Sequence, residues 1–341
     1  MSQVIDLRSD TSTRPTPEMR RVMAEAVVGD DVFDDDPTVN LLQEVAAERL
    51  GKERSLFIPT GTMGNSIAIK AHTQPGDEIL LDTEAHSMLY EVGLPAIIAS
   101  VMTRQFHSKQ GVPCVEEIES LIHTESLHTS RTSLLILENT HNRSGGAIIP
   151  LEVHRQLWEI AQKHNMRLHI DGARLFNAVV ATGVPAKEYA RYADTVTFCL
   201  SKGLGCPIGS LLCGSAEFIG RAKRVRKMLG GGMRQVGILA AAGLYALEHH
   251  IERLAEDHHH AQILAQGLEG LEGLTVEEAP TNMVYFRTRS LAAPFVDEMQ
   301  QQGIIATVVS PHRIRMVTHL DVDSAGIHRA VEVIREIASH P

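Results

Sequence analysis

Short apolar runs alternate with amphipathic stretches along most of this chain, and that alternation limits its fold more than any other feature. The runs lie at 79–81, 96–102, 133–137, 167–170, 195–200 and 210–213, and stretches such as 151–165 and 185–193 separate them. Runs that are apolar at nearly every position suit strands covered on both faces, and strands alternating with helices build a largely parallel sheet. The expected class is α/β. A long helical pattern over 237–271 reads as a bridge. Beyond it, strand-like 283–286, 304–308 and 314–317 alternate with helix-like 291–302 and 324–337, which predicts a small C-terminal α/β lobe. A chain of 341 residues suits two lobes better than one oversized core. The expected division is 1–250 for the large lobe, N-terminal arm included, and 251–341 for the small one.

A net charge of -10 argues against nucleic acid or an anionic membrane as the main partner. No stretch approaches the roughly 18 consecutive apolar residues of a membrane span, and "MSQVIDLRSDTSTRP" has no apolar core of a secretory signal, so the expected location is the cytoplasm. Cys199, Cys206 and Cys213 cluster around two strand-like runs, as reduced thiols rather than a disulfide framework. The acidic run "GDDVFDDDP" lacks a calcium-loop pattern and is expected to form a solvated turn before a helix at 39–50. "DHHH" at 257–260 points its histidines in different directions and is expected to form an exposed helix face. No metal site is predicted.

Three other segments carry chemistry. "FIPTGTMGN" sets Gly61 and Thr62 at the start of a helical pattern, where free backbone amides can seat a phosphate; plain helix capping is the alternative. "LHIDGAR" ends an apolar run on Asp171, and "TVTFCLSKGLG" ends another near Lys202. Ligands bind at such strand ends in open α/β sheets, and a buried acid and a buried amine at one sheet edge each need a partner. Pyridoxal 5'-phosphate satisfies all three features. Its phosphate takes a helix N-terminus, its ring nitrogen a carboxylate and its aldehyde a lysine amine as a Schiff base. His86 in "TEAHSMLYE" could stack on the ring.

In these segments and others the chain resembles the L-threonine aldolases, members of the aspartate-aminotransferase-like, fold type I pyridoxal-phosphate enzymes. The likeness runs through "IDLRSDTSTRPT", "VGDDVFDDDPTVN", "LENTHN", "HIDGARLFNAVVA", "CLSKGLGCPIGS", "KMLGGGMRQVGILAAAG" and "RMVTHLDV". It implies a large lobe with a mostly parallel seven-stranded sheet and cleavage of threonine, allo-threonine or related β-hydroxy-α-amino acids to glycine and an aldehyde. It further implies Lys202 as the cofactor lysine, Asp171 as the partner of the ring nitrogen, Gly61 and Thr62 as the phosphate seat and His86 as the stacking residue. Lys227 and Arg234 are implied phosphate contacts reaching a neighbouring subunit's site, within an oligomer expected to be a homotetramer. The substrate carboxylate is expected on Arg315, with Arg174 and Ser9 converging on it and Arg313 as the competitor two residues away; for either Arg313 or Arg315 the plain alternative is an exposed strand edge. His128 and His86 are the candidate bases at the β-hydroxyl. Tyr90 lies beside them, and Glu91, on a segment that otherwise reads as surface, is a candidate to order a water. A β-eliminating lyase or an aminotransferase of the same fold would share Lys202 and Asp171 and differ in the bond broken.

Overall fold

The computed structural model describes residues 4–339. Its large lobe is built on a seven-stranded sheet whose strands, in chain order, are β1 (Arg54–Ile58), β2 (Glu78–Asp82), β3 (Met102–Phe106), β4 (Thr132–Glu138), β5 (Arg167–Asp171), β6 (Thr195–Cys199) and β7 (Ser210–Gly214). Their spatial order is β1-β7-β6-β5-β4-β2-β3. Only β7 runs against its neighbours, so the other six present their carboxyl ends on one edge. Every residue of β2, β4, β6 and β7 is buried, which is why these runs carry no polar alternation in the sequence.

Helix α1 (Pro37–Leu50) starts where Asp36 accepts from the backbone N–H of Thr38 and Val39, and it stops at Gly51, whose φ of 59° places it in the left-handed region. Helix α2 (Gly61–His72) follows β1 and is capped by the Thr60 hydroxyl, which accepts from Met63 N–H. It lies so close to the sheet that a Cβ on Gly64 would stand 2.7 Å from both Ile58 Cδ1 and Thr197 Cγ2. That approach places the start of α2 beside the ends of β1 and β6.

The small lobe carries a four-stranded antiparallel sheet of β8 (Leu274–Val276), β9 (Met283–Thr288), β10 (Thr307–Ser310) and β11 (Arg313–Val317), in the order β8-β9-β11-β10. The N-terminal arm joins this lobe: Ile5 and Asp6 pair with Ile304 and Ile305, and Leu7 is buried in the small lobe's core.

Four local expectations are corrected. The run 96–102 is not a strand; Pro95 opens a wide helical turn over Pro95–Ala99, Ser100 ends it at a φ of 59°, and the strand begins only at Met102. The pattern over 237–271 is two helices, Gly237–His249 and Leu254–Leu268, because the chain turns where buried His250 donates from Nδ1 to the Leu204 carbonyl. The acidic run is not simply solvated. Asp31 is buried against Arg226 at 2.7 Å, Asp36 caps α1 and also accepts from Gly237 N–H at 2.8 Å, and Asp34 pairs with Lys223. In "DHHH", Asp257, His258 and His260 are buried and only His259 faces solvent, since that helix packs between the lobes.

Gly64→Ala is expected to destabilise the protein by about 1–3 kcal/mol through overpacking against β1 and β6. Urea unfolding checks it: the midpoint should fall with the slope unchanged.

Candidate active site

Five strand ends supply one cavity. It is lined by Gly61 and Thr62 after β1, His86 and Glu91 after β2, Glu138, Thr140 and Asn142 at the end of β4, Asp171 and Arg174 at the end of β5, and Cys199 and Lys202 at the end of β6. The strand register aligns them, with Glu138 opposite Asp171 and Asp171 opposite Thr197. Parallel strands make this convergence unavoidable, because each loop leaves the same edge.

Asp171 is buried; its Oδ2 accepts from Asn65 Nδ2 at 2.7 Å and its Oδ1 from Ala173 N–H at 3.2 Å. A carboxylate has about four acceptor sites, so capacity remains for a further donor inside the cavity. Lys202 lines the same cavity, and its amine has no hydrogen-bond or ion-pair partner among the described residues. The N–H groups of Gly61 and Thr62, at the start of α2, likewise have no acceptor among those residues. Gly61 also lets this end of the helix touch β6, since a Cβ there would stand 2.8 Å from Cys199 Sγ.

His86 heads a short helix, and its backbone N–H donates to Glu138 Oε2 at 2.6 Å. Its Nδ1 lies 2.8 Å from Glu91 Oε1, so Nε2 is the ring nitrogen without a protein partner. Burial alone would lower the His86 pKa, but the bond to Glu91 and the charge of Asp171 raise it above its ordinary value. Glu91 is buried rather than on the surface. Burial pushes its pKa up against the pull of His86, and its Oε2 is a buried oxygen with no partner. Tyr90 is exposed, with its ring tilted on His86 at 5.4 Å and its hydroxyl accepting from Arg143 at 3.4 Å. The His86, Glu91 and Asp171 ligand atoms lie within 4.8 Å of one another, as in a cation site. Asn65 Nδ2 donates to both carboxylates, which gives them the positive partner a cation would otherwise supply.

The arginines divide their work. Arg174 is buried and grips Asp10 with Nε at 2.7 Å and Nη2 at 2.6 Å, leaving Nη1 without a protein acceptor. Burial would raise the Asp10 pKa, but Arg174 overrides it and holds the carboxyl far below the usual range. Sequence reading missed Asp10, since "RSDTS" looks like any polar loop and its partner lies 164 residues away. Ser9, half-buried beside it, caps the turn by accepting from Thr11 N–H. Neither competing arginine of β11 is an exposed strand-edge residue. Arg313 is buried, bound to Glu277 through two nitrogens and stacked on Tyr285 at 4.1 Å. Arg315 reaches the cavity wall through Asn142 Oδ1 at 3.1 Å and keeps a buried Nε with no partner.

Ser9, Tyr90 and Arg315 are not among the residues that line the cavity, and three further expected residues lie on exposed surface. His128 sits on an exposed stretch next to the 93% exposed Leu127, Lys227 is exposed, and Arg234 is exposed and paired with Asp30 at 2.9 Å.

These groups fit pyridoxal phosphate: an unpaired lysine amine, a buried carboxylate with spare acceptor capacity, free amides at a helix start and a ring beside them. The family model for beta-eliminating lyases matches residues 6–290. The chain is 45% identical to the low specificity L-threonine aldolase of Escherichia coli (strain K12) over 99% of this chain and 98% of that one. It is 42% identical to the low-specificity L-threonine aldolase 1 of Arabidopsis thaliana, over 97% and 96%. A solved structure of Leishmania major threonine aldolase superposes with a TM-score of 0.84 at 21% identity, covering 98% of this chain and 99% of that one.

Asp10→Ala strands the buried Arg174 charge and is expected to cost about 3–5 kcal/mol in unfolding free energy. The wild-type contribution of Asp10, an acid with a depressed pKa, is complete above the ordinary carboxylate range and lost only as pH falls toward its folded value. The difference between the two proteins should therefore persist through mildly acidic pH and shrink only in strong acid.

Proposed function

The chain belongs to the beta-eliminating lyase family and, within it, to the low-specificity L-threonine aldolases, and from that premise we propose how its own residues cleave threonine to glycine and acetaldehyde. The protein is a pyridoxal-phosphate-dependent lyase. The observation that carries the residue assignment is the meeting of Lys202 and Asp171, from neighbouring strand ends, on one cavity that begins at the amides of α2.

When bound, pyridoxal phosphate supplies an aldehyde for an amine and a ring that takes up the electron pair released when the Cα–Cβ bond breaks. Lys202, its amine free in the cavity, would hold the cofactor. Asp171, as an anion, would accept a hydrogen bond from the protonated ring nitrogen and keep it protonated, and Gly61 and Thr62 would seat the phosphate. Arg315, with Ser9 and the free Nη1 of Arg174, binds the substrate carboxylate, so the amino acid enters with a fixed orientation. His86 would lie along the ring, and its free Nε2 would take the β-hydroxyl proton as the bond breaks. Tyr90 closes the outer side of His86, and Glu91 orients the imidazole by holding Nδ1.

We further infer self-association, as a homotetramer with shared sites. Val92, Leu127, Ile97 and Phe33 are large apolar residues at least 70% exposed, which supports buried contacts between copies. Lys227 and Arg234 would then add phosphate contacts to a neighbour's cavity, and exposed His128 would reach a β-hydroxyl only across such a boundary. No helix among the described residues is long and apolar enough to cross a membrane. Our reading of the cytoplasm as the location is supported by four cysteines that are all free.

Incubation with L-threonine should release acetaldehyde and glycine in equal amounts, and Lys202→Ala should abolish this while leaving a folded chain. Ammonia and a keto acid as the products would instead assign β-elimination. Glu91→Gln removes a contact that raises the His86 pKa, so with His86 as the base the acidic limb of the rate profile should move to lower pH. An unmoved limb would remove His86 from that role.

A further inference from the structure

Asn65 lies in the second turn of α2 and is buried. Its Nδ2 stands 2.7 Å from Asp171 Oδ2 and 2.8 Å from Glu91 Oε1. A carboxamide nitrogen carries two hydrogens, and both neighbours are carboxylates, so each takes one. Oδ1 must then face the other way, toward His169 Nε2 at 3.4 Å. His169 Nδ1 is 2.9 Å from Thr195 Oγ1, which is itself 2.9 Å from His72 Nε2. Burial keeps both imidazoles neutral: it lowers the His169 pKa to about 4 and that of His72 well below its ordinary value. A neutral imidazole has one donor and one acceptor. His169 therefore donates from Nε2 to Asn65 and accepts the Thr195 hydroxyl proton at Nδ1, while Thr195 accepts from His72. Every donor in this buried chain points toward the two carboxylates.

We propose that Asn65 is a positioning residue whose single NH2 group bridges Asp171 and Glu91, and that it thereby places the two side chains that meet different parts of the cofactor, Asp171 at the ring nitrogen and His86, through Glu91, along the ring. The assignment rests on the pyridoxal phosphate reading of the site. Without the bridge two carboxylates face each other across a space that already holds the ligand atoms of both and of His86 within 4.8 Å. One of them must then take up a proton or turn away. Glu91, with a buried oxygen already unpartnered, is the one that gives way, and His86 loses its anchor with it.

The test measures pyridoxal phosphate affinity by equilibrium dialysis for the wild type, Asn65→Ala, Asn65→Ser and the double variant Asn65→Ala/Glu91→Gln, with folding of each followed by circular dichroism. Asn65→Ala is expected to weaken binding at least tenfold. Asn65→Ser, with one hydroxyl proton for two acceptors, should fall between it and the wild type, and remains informative if the alanine variant folds poorly. Glu91→Gln added to Asn65→Ala removes one charge and supplies an amide donor to Asp171, so it should recover a large part of the lost affinity. A merely structural loss would deepen instead. Affinity within twofold of wild type for both single variants, or a double variant no better than Asn65→Ala, overturns the assignment alone. A wild-type protein that binds no pyridoxal phosphate overturns the reading of the site, and this assignment with it.

Discussion

The site depends first on one buried ion pair. Arg174 leaves the end of β5 and grips Asp10 with both arms of its guanidinium, while Asp10 also accepts from Asn282 Nδ2 at 3.2 Å in the small lobe. One carboxylate thus ties the carboxyl edge of the large sheet to the lobe that carries Arg315. An isolated charge in that position would be very costly, and the geometry is good enough to offset its desolvation. Because the arm holding Asp10 pairs with Ile304 and Ile305, the ion pair fixes how the lobes meet over the cavity.

Around that frame the chemistry is arranged by strand direction. Six strands deliver their carboxyl ends to one edge, so groups far apart in the chain arrive together without special loops. Charge is then balanced locally. Asp171 and Glu91 share Asn65, Glu138 holds the backbone of His86 and of Asn142, and the Lys202 amine has no partner among the described residues. An amine left free in such a site is what a carbonyl-bearing cofactor requires.

Much of this was legible in the residues. Lys202, Asp171, Gly61, Thr62 and His86 could be assigned because each stands at a recognisable strand end or helix start, and chemistry at such points is restricted by local geometry. Glu91 was harder: a lone glutamate ordinarily reads as surface, and only its contacts with Asn65 of α2 and His86 in the folded chain place it inside. Asp10 and Asn65 carried no local signal, since their meaning lies in partners more than a hundred residues away. His128, Lys227 and Arg234 are exposed in the folded chain, away from the cavity that the other expected residues approach.

The two arginines of β11 show the division most clearly. Sequence alone determined the α/β class and put forward the two lobes, the lysine and aspartate at strand ends and a helix start as a phosphate seat, because these readings follow from hydrophobic period and backbone valence over a few residues. By resemblance it favoured Arg315 for the substrate carboxylate, with Arg313, two apart on the same face, as the competitor. Tertiary structure gave them different neighbours, Glu277 and the Tyr285 ring against Arg313 and Asn142 against Arg315. The physical reason is that a charged side chain takes its role from the partner that offsets its desolvation, and that partner is a property of the folded neighbourhood.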